Sequence, residues 1–341
     1  MRELYIREND AGQRLDRFLS KAIPKLPQSL AQKFIRTKRI KVGGKRSERN
    51  YRLAEGDTVQ LYIADEYFDA REGRYDHLSS ANPHLDLIYE DDNILIINKS
   101  PGIVCQPVGA MDTDSLVARV QAYLLVSGQW SPEENLSFTP ALCNRIDRNT
   151  GGIVLAAKNA PALKTLNEKI RIGQVRKYYL CIVRGTPDPR EAVLENFILK
   201  DGEKNHVTVL AQNAGNRLTG TVKDIEETKK VTVGQASPVR TKKAITRYRT
   251  LSSKENLSLV ECEIMTGRSH QIRAQMAAIG HPLSGDRKYG GGFIDGQWQS
   301  LWAYKVNFDF SGDSGVLEYL AGRSFAVKSV KFAEKFPDIS F

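Results

Sequence analysis

The first 63 residues predict two short helices and a small sheet. Apolar residues recur at helical spacing in the first helix: Leu15, Phe18, Leu19 and Ala22. Pro24 and Pro27 end this helix, and Ser29 is then predicted to cap a second helix with a basic last turn. A strand over 40–42, a Gly-Gly turn and an alternating strand at the end of the segment complete the unit.

Strands and a few helices are predicted for the remainder. Strands at 87–89 and 94–97 should pair across a turn, 153–157 has the short β-branched pattern of a buried strand, and 257–264 alternates. The polar segment 190–245 is strand-like, with a hairpin near 214–216. Two helices are expected, one over about 115–125 capped by Asp112 or Asp114, the other starting near Ser269 and stopped by Gly280.

Length and charge indicate two domains with different tasks. At 341 residues the chain exceeds the usual size of one domain. Residues 1–50 hold fourteen Lys and Arg against five Asp and Glu, a balance of +9, out of +10 for the whole chain. Such an asymmetry is typical of a polyanion-binding module joined to a nearly neutral body. The acidic, aperiodic stretch 65–82 is interpreted as a linker.

Cysteine usage predicts a reducing compartment. The four cysteines lie far apart and form no Cys-x-x-Cys pair: Cys105, Cys143, Cys181 and Cys262. Neither a disulfide framework nor a structural zinc site is expected, and His270 and His281, without a nearby third ligand, do not predict a metal site. The first residues lack the apolar core of a signal peptide, and no apolar run reaches membrane-spanning length. We expect a cytoplasmic, monomeric protein.

An acid between two arginines is the strongest candidate for chemistry. Asp147 lies between Arg145 and Arg148, in a loop that leads through a flexible glycine pair into the 153–157 strand. A loop held by a rigid scaffold presents reactive side chains well, and nearby guanidinium groups would keep the carboxylate ionised. On this local pattern alone, a structural Arg–Asp ion pair is the commoner interpretation.

The same segment resembles the catalytic motif His-Arg-Leu-Asp-x-x-Thr-Ser-Gly of the RluA/RluD-type pseudouridine synthases. Four positions match that motif: Arg145, Asp147, Thr150 and Gly152. Three differ, with Asn144 in place of His, Ile146 in place of Leu and Gly151 in place of Ser. The similarity therefore includes the acid itself.

Three further stretches follow in the family's order, so that the resemblance runs from roughly residue 85 to 310. One is Leu87-Ile88-Tyr89-Glu90-Asp91-Asp92 with Asn98-Lys99-Ser100-Pro101-Gly102, where Ser100 replaces Pro and Gln106 replaces His. The next is Lys177-x-Tyr179-x-Cys181-x-Val183-x-Gly185. The last joins 266–273 to the Gly-His-Pro-Leu-Ser-Gly-Asp run at 280–286.

The resemblance implies a fold, a reaction and a set of site residues. The fold is α+β, a mixed and mostly antiparallel sheet with flanking helices over 83–341, preceded over 1–75 by a small α/β alpha-L RNA-binding domain. The reaction is the isomerisation of uridine in RNA, which requires no metal, nucleotide or other cofactor. Catalytic roles fall to three residues: Asp147, Tyr179 and Arg273. Substrate contacts fall to four: Arg145, Arg268, His270 and Gln271.

The N-terminal domain is implied to bind folded RNA through phosphates and shape. Its candidate ligands are the basic residues around one end of the unit: Arg36, Lys38, Arg39, Lys41, Lys45 and Arg46. Large-subunit ribosomal RNA is the expected substrate, and transfer RNA is the alternative within the same reaction.

Two other classes of protein remain open. One is an RNA-binding, ribosome-associated factor that has lost activity, although all four residues that activity would need are present: Arg145, Asp147, Tyr179 and Arg273. The other is a glycoside or nucleoside hydrolase, which needs a second carboxyl group about 5–10 Å from the first. Asp92 and Asp286 are the candidates by residue type, but the arginine-rich setting of Asp147 disfavours a protonated acid beside it.

Overall fold

A computed structural model describes residues 1–68, 75–107, 114–201, 206–210, 241–292 and 298–336. The N-terminal unit has a four-stranded antiparallel sheet in the order β1-β4-β2-β3 and two helices. Its elements are β1 (Arg2–Tyr5), α1 (Leu15–Ala22), α2 (Gln28–Arg36), β2 (Ile40–Val42), β3 (Lys45–Arg46) and β4 (Thr58–Leu61). The predicted first helix and central strand are confirmed, and the apolar face of α1 forms part of the buried core.

The second helix begins earlier than predicted. Pro27, with φ −57° and ψ 139°, occupies the N-cap position, so α2 starts at Gln28 and Ser29 lies inside its first turn without a side-chain cap. At the other end Lys38 adopts a left-handed conformation, φ 61°. The N–H groups of Lys38 and Arg39 return to the carbonyls of Ile35 and Phe34. This closed turn fixes the direction in which the basic end of the helix points.

The larger unit is one mixed sheet with helices on both faces. Its described strands follow the order β11-β10-β12-β13-β9-β14-β8-β6-β5, with β15 beside β14 and β7 beside β8. The strands are β5 (Leu87–Glu90), β6 (Ile94–Lys99), β7 (Ala141–Leu142), β8 (Gly151–Ala157), β9 (Val175–Arg184), β10 (Glu191–Asp201), β11 (His206–Leu210), β12 (Lys242–Lys254), β13 (Leu257–Ile264), β14 (Leu301–Phe308) and β15 (Ser324–Ala326). Every described pairing is antiparallel except β8 with β14, so the expected α+β class with a mostly antiparallel sheet is confirmed.

In the described ranges of this unit, three helices flank the sheet: α3 (Leu116–Val126), α4 (Ala160–Arg171) and α5 (Gln271–Ala278). The cap predicted for α3 is wrong for Asp114, because the Ser115 side chain accepts the Ala118 N–H while Asp114 pairs with Arg119. Asp112 and the hairpin predicted near 214–216 lie outside the described residues. No helix among the described residues has the length and apolar character needed to cross a membrane.

The glycine pair before the buried strand is part of β8 and is tightly packed. A Cβ on Gly151 would lie 2.3 Å from the Trp302 ring, and one on Gly152 would lie 2.1 Å from the Ala303 carbonyl oxygen. Gly152 also has φ 107°. The expected flexible pair is therefore wrong: these residues are glycine because β14 approaches the backbone of β8 closely in the parallel pairing.

Polar contacts join the two units. Asn9 accepts the Ala160 N–H at the start of α4, and the buried Asp10 carboxylate accepts the Ser137 N–H at 3.0 Å. Gln13 donates to the Ser137 hydroxyl. Within the predicted linker 65–82, Leu78 is buried and packs with the α3 side of the sheet.

Candidate active site

Asp147 lies in the loop between β7 and β8, and backbone contacts hold this loop from both ends. The Asn144 side chain accepts the Leu155 N–H at 2.8 Å, and Thr150 donates its N–H to the Asp147 carbonyl at 3.1 Å. Gln299 donates to the Thr150 hydroxyl at 3.4 Å. The Asp147 side chain itself keeps 25% of its surface exposed, so it is fixed in position yet open to a ligand.

A buried lysine supports the same loop. Lys99, at 1% exposure, donates hydrogen bonds to the carbonyls of Ser100, Ile103 and Arg148 at 2.9, 2.9 and 3.0 Å. Burial lowers the pKa of Lys99 to about 8. Its three bonds tie the turn after β6 to the far end of the Asp147 loop. The sequence resemblance includes Lys99 as a motif residue but does not reveal this contact.

The guanidinium that binds Asp147 comes from α5. Arg273 donates from Nη1 to Asp147 Oδ2 at 2.9 Å, and from Nε and Nη2 to the two oxygens of Asp286 at 2.7 and 3.0 Å. Burial opposes the charge of Arg273, but the bonds and charges of Asp286 and Asp147 outweigh it and raise the arginine pKa. The flanking Arg145 is exposed instead. Asp286 thus orients the arginine that orients Asp147.

Tyr179 projects from the middle of β9 into this region. It is 5% exposed, and its cross-strand neighbours are Cys262 on β13 and Ala303 on β14. Burial, followed by the negative charge of Asp147, raises the pKa of the phenol. The hydroxyl bonds to no other residue in the described parts of the chain, and it is neutral at pH 7.

Two residues around the start of α5 differ in their exposure: Gln271 is buried, whereas Arg268 is exposed. The Gln271 amide accepts from the Thr266 hydroxyl at 2.8 Å and donates to the Ile245 carbonyl at 2.9 Å. With 4% exposure, Gln271 holds the loop after β13 in place through these hydrogen bonds. Arg268 is exposed and donates to the Lys243 carbonyl.

His270 lies at the N-cap of α5 with φ 51°, a left-handed conformation that histidine adopts more readily than most residues. Its Nε2 is 3.9 Å from Asp147 Oδ2, and its Nδ1 is 2.8 Å from the hydroxyl of Tyr289. Burial lowers the pKa of His270 to about 4. The ring is therefore neutral at pH 7. Sequence reasoning missed Tyr289, since no local pattern distinguishes it from other surface tyrosines.

The basic residues of the N-terminal unit form a second surface. Arg36 and Arg46 line one groove of about 470 Å³ between α2 and the segment after β3. Lys33 and Arg49 line it too and were not predicted. The remaining predicted cations lie on adjoining elements: Lys41 is opposite Arg46 in the β2–β3 register, Lys45 is on the hairpin, and Lys38 and Arg39 are in the turn after α2. Exposed positive charge around a groove suits a phosphate backbone.

Comparisons with known proteins match both units. A family model described as RNA pseudouridylate synthase matches residues 93–278, and one described as S4 domain matches residues 13–59. The chain is 27% identical to an uncharacterized RNA pseudouridine synthase of Bacillus subtilis, over 92% of this chain and 91% of that protein. It is also 27% identical to ribosomal large subunit pseudouridine synthase C of Haemophilus influenzae, over 96% and 93% of the two chains.

A solved structure supports the fold. The human protein RNA pseudouridylate synthase domain containing 4 aligns with a TM-score of 0.51 and 19% identity, covering 78% of this chain and 94% of that one. The synthase family model alone covers more than half of the chain. The protein accordingly belongs to the RNA pseudouridine synthase family, in the RluA-type branch that carries an N-terminal S4 domain.

Proposed function

We propose that this protein isomerises specific uridines in structured RNA, with large-subunit ribosomal RNA as its substrate and Asp147 as its catalytic carboxylate. The observation that carries the proposal is the buried Asp286–Arg273 pair, which presents the partly exposed Asp147. The names of the relatives and the S4 domain support ribosomal RNA as the substrate.

The reaction breaks the bond between ribose C1′ and uracil N1, turns the base and forms a bond from C1′ to C5. The proton on C5 then leaves, and N1 gains one. Asp147 acts either by attack on C1′ or by taking a ribose proton to give a glycal-type intermediate. A protonated carboxyl partner is not required in either case, and both oxygens of the nearby Asp286 accept hydrogen bonds from Arg273. This arrangement favours the synthase over the hydrolase.

The remaining site residues have separate tasks. The uridine must leave its stack first, at a cost of a few kcal/mol, and the exposed Arg145 fills the space of the flipped base or holds its phosphate. Tyr179 stacks on the uracil and relays the last proton. Arg268 and His270 contact the substrate near the sugar. The reaction needs no cofactor.

The N-terminal unit binds the RNA through its basic groove and the cations on the adjoining elements. We place the protein in the cytoplasm as a monomer. The four thiols are free, and the sulfur atoms of Cys181 and Cys262 are 3.9 Å apart.

The test is pseudouridine mapping of total RNA, by carbodiimide labelling and primer extension, in cells with and without this gene. We expect loss of one or a few sites in large-subunit RNA, restored by the wild type and not by Asp147→Asn. Asp309→Asn, a surface carboxylate paired with Arg176, is the matched control and should restore the sites. If the missing sites lie in transfer RNA, the substrate is transfer RNA instead of ribosomal RNA. If the map is unchanged, the protein is an RNA-binding factor without synthase activity.

A further inference from the structure

The side chains of Arg273 and His270 both face the Oδ2 atom of Asp147. Arg273 bonds to Oδ2 at 2.9 Å, whereas His270 Nε2 faces it from 3.9 Å, beyond hydrogen-bond distance. A neutral imidazole carries one proton, on either Nδ1 or Nε2. Which nitrogen carries it decides whether an N–H or a lone pair faces the carboxylate.

Tyr289 determines which nitrogen of His270 carries the proton. Its hydroxyl oxygen accepts the Val207 N–H at 3.0 Å and lies 2.8 Å from His270 Nδ1. Burial raises the pKa of the phenol, so the hydroxyl keeps its proton at pH 7. That proton needs an acceptor, and His270 Nδ1 is the one within reach in the described parts of the chain. Nδ1 therefore accepts, and the imidazole proton is on Nε2.

The ring of Tyr289 is itself held firmly. It lies 4.8 Å from the His206 ring of β11, and the Arg273 guanidinium is 5.2 Å from its centroid. The short 3-10 turn that carries it, Arg287–Tyr289, is capped by the Asp286 side chain, which accepts the Lys288 N–H at 3.1 Å. A fixed phenol gives a fixed tautomer.

We propose that Tyr289 is a positioning residue that holds His270 as the neutral Nε2–H tautomer, so that a hydrogen-bond donor faces Asp147. The other tautomer would turn a lone pair toward the carboxylate, repelling it and competing with it for a ribose proton. This inference rests on the proposed function for its catalytic consequence. The tautomer itself does not depend on that function.

The experiment is ¹⁵N NMR of the histidine side chains in the full-length protein, with His270 assigned through His270→Gln among the five histidines. We expect a protonated Nε2 and a bare Nδ1 in the wild type, and a mixture of tautomers in Tyr289→Phe. The kcat of Tyr289→Phe should fall about 10-fold with KM little changed, the size of one lost hydrogen bond. Tyr319→Phe, which removes a hydroxyl bonded to Asp91, is the control and should match the wild type.

A proton on Nδ1 in the wild type would overturn the proposal. So would a Tyr289→Phe variant with unchanged tautomer, whatever its activity. His270→Gln, which keeps an N–H near the position of Nε2, should retain more activity than His270→Phe, and equal losses would also contradict the proposal. If the wild type modifies no RNA, the proposed function fails, while the NMR result still decides the tautomer.

Discussion

Replacing Asp286 by asparagine should impair both the stability and the catalytic rate of this protein. The change keeps the shape of the side chain but removes its charge and turns one acceptor into a donor. Arg273 then loses one of the two bonds it makes to Asp286, at 2.7 and 3.0 Å. The Arg273 side chain is 10% exposed. Of the two carboxylates that it binds, only Asp147 would remain charged in this variant.

The magnitude follows from burial. Asp286 is 1% exposed, so water screens the pair weakly. A hydrogen bond to a charged group contributes about 1.5–3 kcal/mol, and removing one partner of a buried pair costs about 3–5 kcal/mol. We expect a free energy of unfolding lower by about 3 kcal/mol. If half or more of that loss reaches the transition state through a loosened Arg273, kcat falls about 10- to 100-fold.

The assay combines denaturant unfolding with single-turnover kinetics on an RNA that contains the mapped uridine. Asp309→Asn is the matched control, because its pair with Arg176 spans 3.3 Å with 45% of the Asp309 side chain exposed. Such surface pairs contribute about 0–1 kcal/mol. Combining Asp286→Asn with Arg273→Met should add little to the effect on kcat of the arginine variant alone. An Asp286→Asn protein with wild-type stability and kcat would refute the reasoning.

Three further results are expected. Gly152→Ala should lower the unfolding free energy by about 2–6 kcal/mol, because the new Cβ overpacks against β14 and the backbone is left-handed. Gly102 has a similar φ but open space around it, so Gly102→Ala should lose only the free energy that comes from backbone strain. Equal losses in the two variants would contradict the close approach of β14 to Gly152. Arg36→Ala should reduce the slope of log affinity for RNA against log salt by about 1, and Arg171→Ala, far from the groove, should not. The pKa of His270 is about 4 in the folded protein and about 6.5 in the unfolded chain, where the side chain is solvated. Stability should therefore be full above pH 6.5 and decline toward pH 4, and His270→Gln should flatten that decline.

The local elements could be predicted because their signals are local. The apolar spacing in the first helix predicts a helix face, and the alternation near 257–264 predicts a strand. The structure has α1 (Leu15–Ala22) and β13 (Leu257–Ile264) at these positions. The caps of α2 and α3 were wrong for a physical reason. In α2, Pro27 occupies the N-cap position and Ser29 falls inside the first turn, whereas at the start of α3 Asp114 pairs with Arg119 and Ser115 caps the helix.

The site depends on contacts that no local pattern contains. Arg273 and Asp147 are 126 positions apart, and the sequence connects them only through the family resemblance. The support behind them is still less visible. Lys99 resembles any lysine at the end of a strand until its three carbonyl partners are known, and Gly152 resembles a flexible hinge until β14 is placed against it.

One carboxylate connects the two groups that face Asp147. Asp286 binds Arg273 through both oxygens, and one of these oxygens also accepts the N–H that starts the turn carrying Tyr289. Tyr289 in turn bonds to His270. The ion pair and the turn that carries Tyr289 therefore share a single buried anchor, and a small shift of that anchor changes both groups that face Asp147 Oδ2. Buried networks of this kind favour one arrangement over many, because each unsatisfied member is costly. The carboxylate of Asp147 is thus kept in place by a network that extends back to Asp286 and Tyr289.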